Sequence, residues 1–473
     1  MARSFGVPDA EPPGQFEHVP SGSRITVFWS KGQLHHKIEE RGIMADYPIA
    51  YFVGAGNVGR SYLIDLNGHL FQSPASYYTK QRRWDVSPGY EQELVLDFNR
   101  PITSDCLFCH AGAGVAPEGP VPLHPLSCER CHGPAEAHLR RPVPGSIVNP
   151  ARLPPRERDS VCEQCHLEGA TVVLNPGKYW WDFRPGQRLE QVETLYVYRT
   201  ASQQPATLAA VSQAEELGSS LCVRASGGKL WCGSCHDPHG EPPANRSAQI
   251  RQVCTGCHST QELAHSHPAT ETDCVACHMP RRPASDIVHA AVTDHRLRKH
   301  PGSSLAAGPI LLEAWSEPPP GLKQRNLGLA YFQIARQKQS SADFARAYDL
   351  LSHLPPAERD ASVQAALGYL LLGSGRAPQA ILLFEQAVTE NPASSEYWLD
   401  LGVAQTAAGA AGSAVRSLKY SIERNPYDYR PYEALSRLYS SEGQPEQSAA
   451  TLLEYLKLVP QSMTVRLSQI EKR

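Results

Sequence analysis

Between Cys106 and His278 the pattern Cys-x-x-Cys-His occurs six times. The copies are Cys106-Leu107-Phe108-Cys109-His110, Cys128-Glu129-Arg130-Cys131-His132, Cys162-Glu163-Gln164-Cys165-His166, Cys232-Gly233-Ser234-Cys235-His236, Cys254-Thr255-Gly256-Cys257-His258 and Cys274-Val275-Ala276-Cys277-His278. This is the attachment signature of a c-type haem: two thiols add across the vinyl groups, and the adjacent imidazole lies under the iron as its proximal ligand. Twelve of the thirteen cysteines are used in this way, the thirteenth being Cys222. Paired cysteines also bind zinc or form disulfides. Neither use requires a histidine after every second cysteine, and chance placement of six has odds of roughly 10⁻⁹. Six covalently held haems are predicted, with His110, His132, His166, His236, His258 and His278 as proximal iron ligands.

Tight spacing limits what such a chain can fold into. The motif starts at Cys106 and Cys128, and again at Cys232 and Cys254, are 22 residues apart. So short a segment cannot build its own core, so neighbouring porphyrins are expected to pack on each other. With an apolar fraction of 41%, large cofactors would supply much of the packing volume. The 473 residues allow two to four domains. A net charge of −3 gives no reason to expect nucleic acid. No run of 18 apolar residues occurs, so no transmembrane segment is predicted.

Haem attachment takes place outside the cytoplasm, so an extracytoplasmic (periplasmic or exported) location is expected. Yet Met1-Ala2-Arg3-Ser4-Phe5-Gly6-Val7-Pro8 has neither an apolar signal-peptide core nor a cleavage site.

The predicted fold class is mixed, with a small antiparallel β unit, an irregular short-helix multihaem domain and a C-terminal all-α solenoid. Over 1–100, strand-like runs include Ile25–Trp29, Ile49–Val53 and Ser61–Phe71. Asn67-Gly68 between apolar-rich runs is a hairpin signal, because both residues tolerate positive φ. This β-rich segment is expected to belong to the cytochrome module, as a cover for the first haem. The six-motif domain spans 101–300, with a possible helix near 209–217, and 301–322 is expected to be a linker. From 323 to 473 a period of 34 residues emerges: Asn391-Pro392, Asn425-Pro426 and Val459-Pro460. In register with it are Leu367-Gly368, Leu401-Gly402 and Leu435-Ser436, then Gly375, Gly409 and Gly443. This period and content resemble the tetratricopeptide repeat, a helix-turn-helix unit. Leu327-Gly328 and Tyr331 begin an earlier, longer copy, so about four repeats are expected, with Met463–Lys472 as a capping helix.

Each iron also needs a sixth ligand. Of four methionines, Met279 follows His278 too closely to reach over its own haem and Met463 lies beyond the repeats. Histidine is plentiful, and of the thirteen outside the motifs only His353 falls among the repeats. Mostly bis-histidine coordination is therefore expected. Candidate distal ligands are His124, His138, His239, His265, His267, His289 and His295, and with them His300. His18, His35, His36 and His69 rank below them. Arg140, Arg141, Arg281 and Arg282 are candidates for pairing with haem propionates against a commoner solvated role. Cys222 is expected to be a buried thiol.

Ser127–Pro134 with His138, Cys235-His236-Asp237-Pro238-His239-Gly240 and Cys277-His278-Met279-Pro280 carry a family likeness. They resemble multihaem cytochromes related to the tetrahaem cytochrome of ammonia oxidisers, of the doubled Cys-x-x-Cys-His type. Trp181–Gly186 and Arg83-Trp84 are similar to forms fused to tetratricopeptide repeats. The likeness covers about 25–470. It implies a further haem motif ahead of the β unit, which this sequence lacks. A truncated gene model is the corresponding expectation, and an upstream frame encoding a signal peptide and another motif would bear it out.

Two functions follow as expectations. The favoured one is a multihaem electron carrier whose solenoid docks a redox protein partner, with no catalytic residues of its own. The alternative is an oxidoreductase of a small nitrogen or sulfur compound at one five-coordinate haem.

Overall fold

In the computed structural model the described residues are 4–112, 123–200, 211–240, 245–259, 261, 273–284, 287, 291–299 and 310–470. They fall into two compact units, one of 4–107 with 319–470 and the other of 108–112 with 123–318. Sheet and helix are both present, and the C-terminal third is helical.

In the first unit, Gly14–His18, Ser23–Ser30, Gln33–Glu40 and Ile43–Pro48 form a four-stranded antiparallel meander. Ile25, Val27, Leu34, Ile38 and Ala45 recur at alternate positions and are buried, as period-two burial of one sheet face requires. A second sheet is built around the hairpin of Gly59–Leu66 and His69–Tyr78. Its two-residue turn is Asn67-Gly68, with φ of 54° and 88° and Leu66 opposite His69. Lys31-Gly32 and Arg41-Gly42 make turns of the same kind without the asparagine signal.

The helical part of this unit consists of four helix pairs and a cap. The pairs are Lys323–Lys338 with Ser341–Ser352, Ala361–Gly373 with Ala377–Glu390, Ser395–Ala407 with Ala411–Arg424, and Tyr429–Ser441 with Pro445–Leu458. The cap is Met463–Ile470. Small residues at the periodic position let paired helices close: a Cβ on Gly368 would meet Phe384 at 2.9 Å, and one on Gly402 would meet Leu418 at 2.7 Å. In the last pair Ser436 takes this place and shares a 2.8 Å hydroxyl contact with Ser448. Gly375, Gly409 and Gly443 turn the chain between helices at φ of 76°, 75° and 72°.

Sheets and helices share one core. Ile25, Tyr62, Trp84 and Phe98 belong to the same apolar cluster as Tyr432, Tyr455, Met463 and Val465. Buried Asp97 accepts from the Ser462 hydroxyl and the Thr464 amide, both at 2.9 Å. Gln461 pairs twice with the Asp46 backbone, as a further strand would (2.7 and 2.8 Å). The expected grouping of 1–100 with the cytochrome module thus differs from this packing. The buried sheet face is completed by side chains of the last repeat and cap, which local sequence cannot signal.

Among its described residues the second unit has short helices and two small sheets, Thr171–Leu174 with Glu193–Thr200 and Ile310–Ala314, and Arg281–Pro283 with Ala291–Thr293. Part of the expected linker is therefore a strand, and Trp315 beyond it donates to Glu163 at 2.9 Å. The helix expected near 209–217 is Gln213–Ser219, while 201–210 lies outside the described residues. The apolar clusters are small, such as Phe108, Phe183, Leu189 and Val192.

Candidate haem sites

Each motif is wound on a turn of helix, which places thiols three residues apart on one face with the imidazole next in line. Cys106, Cys109 and His110 end Ser104–His110, and Cys162, Cys165 and His166 end Pro155–His166. Helical bonds close the turn in other copies: His132 N to Cys128 O at 3.0 Å, His236 N to Cys232 O at 3.0 Å, and His258 N to Cys254 O at 2.9 Å. The sixth motif lies on Cys274–His278, capped by the Asp273 carboxylate accepting from Val275 N and Ala276 N.

The donor set fits haem c. None of the thirteen cysteines forms a disulfide. Among the described residues, no three or more of His, Cys, Asp and Glu converge as a metal-ion cage. The helices Glu129–His132, Cys232–Cys235 and Cys274–His278 contain no buried residue, so protein alone gives them no core. A porphyrin face would cover such helices.

Several imidazoles are held through Nδ1, as is usual for a histidine that ligates a metal through Nε2. Nδ1 of His132 bonds Val148 O at 2.7 Å, and Nδ1 of His278 bonds Arg298 O at 2.6 Å. His138 uses Nδ1 on Ser146 Oγ at 2.8 Å, and His295 uses it on Thr293 O at 2.8 Å. His295 is further fixed where its amide donates to Glu216 at 2.7 Å. Burial lowers the pKa of His110, His166 and His295. His236 is pushed down to about 4 by burial, with Arg246, His295 and His166 adding to it. All four are therefore neutral near pH 7, the form that binds iron.

Among the described residues, two motif imidazoles face a second histidine. The rings of His132 and His239 are 5.8 Å apart between centres, with planes at 24°. Those of His236 and His295 are 6.2 Å apart at 25°. Two imidazoles bound to opposite faces of one metal have ring centres roughly 6 Å apart, from two bonds of about 2 Å and two half-rings of about 1 Å.

The other candidates divide differently. His124 is exposed and turns Nδ1 to Pro125 O at 2.9 Å. Among the described residues, neither His124 nor His138 stacks on a motif imidazole. His265, His267, His289 and His300 lie outside the described residues. His36 is core, not a site: it is fully buried, with Nδ1 on Ser73 Oγ at 2.7 Å. Arg140 pairs with Glu136, and Arg282 lies 3.1 Å from Asp294. Cys222, expected to be buried, is exposed. It sits on the one-turn helix Leu221–Ala225, which buries none of its residues, and contacts Ser220 Oγ at 3.0 Å.

Residues inside the motifs knit the first three together, a feature sequence reasoning missed. Arg130 of the second motif donates to Phe108 O of the first at 2.8 Å and lies over the Phe108 and Trp181 rings. Gln164 of the third donates to Arg130 O at 3.2 Å, and its own carbonyl accepts from Cys109 at 3.5 Å. Thiols of different motifs also come close, Cys109 to Cys165 and Cys162 to Cys232, each as free thiols. The residues between paired cysteines carry no signal for such contacts, because the attachment chemistry leaves them unconstrained.

Residues 223–263 match the family model for the doubled CXXCH motif. Over 256 residues the chain is 24% identical to the multiheme cytochrome MtrA of Shewanella baltica (strain OS185), covering 48% of this chain and 60% of that one. The chain thus spans about 60% of the length of this curated relative. Among solved structures, the crystal structure of MamA aligns at 15% identity and a TM-score of 0.25, over 29% of this chain and 82% of that one. The crystal structure of YrrB, a TPR protein with an unusual peptide-binding site, aligns at 15% identity and a TM-score of 0.26, over 30% and 74%. With the six motifs and the periodic helix pairs, the resemblance of this chain to multihaem c-type cytochromes fused to tetratricopeptide repeats holds.

Proposed function

We propose that this protein is an extracytoplasmic electron carrier holding six haems c, mostly between histidine pairs, with a solenoid that docks a redox partner. The observation that carries the reading is the facing of motif imidazoles by second histidines, His132 by His239 and His236 by His295, at a spacing suited to one iron. When bound, haem supplies a one-electron iron couple whose potential follows from axial ligands, burial and nearby charge. The chain's own residues anchor, orient and space the cofactors. Cysteine pairs fix each porphyrin edge, Val148, Arg298 and Thr293 carbonyls aim imidazoles, and Arg130 and Gln164 tie adjacent motifs together.

His239 and His295, opposite His132 and His236, would favour outer-sphere transfer over catalysis there, because an iron capped by them would have no position for substrate. The contacts between motifs one, two and three support close haem packing. The repeats bring a partner-binding function of the kind such solenoids serve.

A pyridine haemochrome assay on exported, full-length protein tests the cofactor claim, with six haems per chain expected. A value well below six overturns it.

A further inference from the structure

Glu193 opens the strand Glu193–Thr200, opposite Leu174, and is 4% exposed. Just before it in the chain, Leu189 and Val192 form an apolar cluster with Phe108 and Phe183. Among the described residues the Glu193 carboxyl group has no hydrogen bond or ion pair. Burial alone acts on it and lifts its pKa to about 8. It differs in this from Glu163 and Glu190, which share the Arg156 guanidinium. A buried, unpaired carboxyl group stays protonated near neutral pH unless a positive charge comes close to it.

The place of Glu193 says which charge that is. Its carboxyl group lies near enough to Cys109 of the first motif to act on that thiol, and Cys109 is beside Cys165 of the third. Few other titratable groups face this spot. Arg130 interacts with both thiols and lies over the Phe108 and Trp181 rings. The strand Thr171–Leu174 brings no titratable side chain, and Glu190 from the preceding turn is held by Arg156. On the strand Ile310–Ala314, Glu313 pairs with Val197, four residues further on. His110 is shifted by burial and by His166, with no part for Glu193. The charge that changes here during electron carriage is that of the iron held by the first or the third motif.

We propose that Glu193 takes up one proton from water when an electron enters the haem pair of the first and third motifs, and gives it back when the electron leaves. The balance is one electron from the donor and one proton from solvent: the carboxylate becomes a carboxylic acid as ferric iron becomes ferrous. Reduction removes one unit of positive charge, so the carboxylate loses the attraction that kept it ionised. Proton and electron move together at pH values between the Glu193 pKa in the oxidised and in the reduced protein. This inference rests on the carrier function proposed above, which haem count and low-spin signals test separately. A six-haem, low-spin protein whose midpoints do not change with pH would defeat this inference alone.

The test is a spectroelectrochemical titration of full-length holoprotein from pH 5 to 9. One or two midpoints should fall with rising pH, by at most a tenfold change in the reduction equilibrium per pH unit, about 59 mV for a one-electron couple. Glu193→Gln should flatten that dependence, leave the other midpoints unchanged and raise the affected one at high pH, where the wild-type carboxylate is ionised. Glu193→Asp should keep a slope over a displaced pH range. A slope that persists in Glu193→Gln overturns the proposal and assigns the proton to another group. Should Glu193→Gln fail to mature, infrared difference spectra of the wild type decide. Reduction should produce a protonated-carboxyl C=O band that does not move when the haem carboxyls carry carbon-13. A band that moves, or no band, overturns the proposal.

Discussion

The imidazoles of His236 and His295 lie 6.2 Å apart with planes 25° from parallel, one on an attachment motif and the other at the end of a strand pair. Glu216 and Thr293 hold His295 from behind, so its place is set by the fold rather than by chance contact. His295→Ala should convert one low-spin haem to a high-spin form. His239→Ala should convert a different one, facing His132, and the double variant should show both. Magnetic circular dichroism reads the change, and two variants affecting the same haem would break the assignment.

His36 sits at the centre of the sheet core, edge-on to Tyr62 and Trp84, and burial pushes its pKa down to about 3. Its folded value lies below the unfolded value of about 6.5. Between these two values the unfolded chain holds a proton that the folded chain does not, so stability falls as pH drops below about 6.5. The slope from this one group approaches about 1.4 kcal/mol per pH unit. Urea unfolding followed by far-ultraviolet circular dichroism at pH 7, 6 and 5 should show it. His36→Gln should lower stability at pH 7 but flatten the dependence; an equally steep slope in the variant would rule His36 out as its source.

Much of the repeat architecture was legible because it is local. The 34-residue period records where small residues let helices meet, and Gly368 over Phe384 and Gly402 over Leu418 are its physical cause. The Asn67-Gly68 turn was legible for the same reason, whereas Lys31-Gly32 was not, since lysine rarely takes positive φ. The core shared by Trp84 and Tyr455 could not be read, because it joins faces that are far apart in sequence. At the haem sites the proximal ligands follow from attachment chemistry itself. Distal ligands do not: His124, four residues before a motif, points to its own backbone, while His295 reaches His236.

The periodic glycine makes a paired prediction. Gly402→Ala puts a methyl group 2.7 Å from Leu418 Cγ and should cost about 1–3 kcal/mol as the helices separate. Gly412 has nothing within 4 Å of an added Cβ and lies in a helix, so Gly412→Ala should be neutral or stabilise by up to about 1 kcal/mol. Thermal unfolding compares them, and similar losses in both would contradict close packing as the reason for the glycine.

Asp97 joins the sheet region to the cap through Ser462 and Thr464. Asp97→Ala leaves a buried amide and hydroxyl without their acceptor and should cost about 1–3 kcal/mol per unsatisfied group. Hydrogen exchange should rise first in 459–468. Unchanged protection there would mean that apolar contacts alone hold the cap.

Irons capped by histidine on both faces would set an electron carrier apart from a catalyst. Low-temperature electron paramagnetic resonance of the oxidised, full-length holoprotein, integrated against protein concentration, tests this most directly. Bis-histidine carriage predicts low-spin ferric signals for most of six haems per chain, with no high-spin signal that shifts when a small ligand is added. A stoichiometric high-spin signal that moves with added ligand would contradict it and point to a catalytic haem.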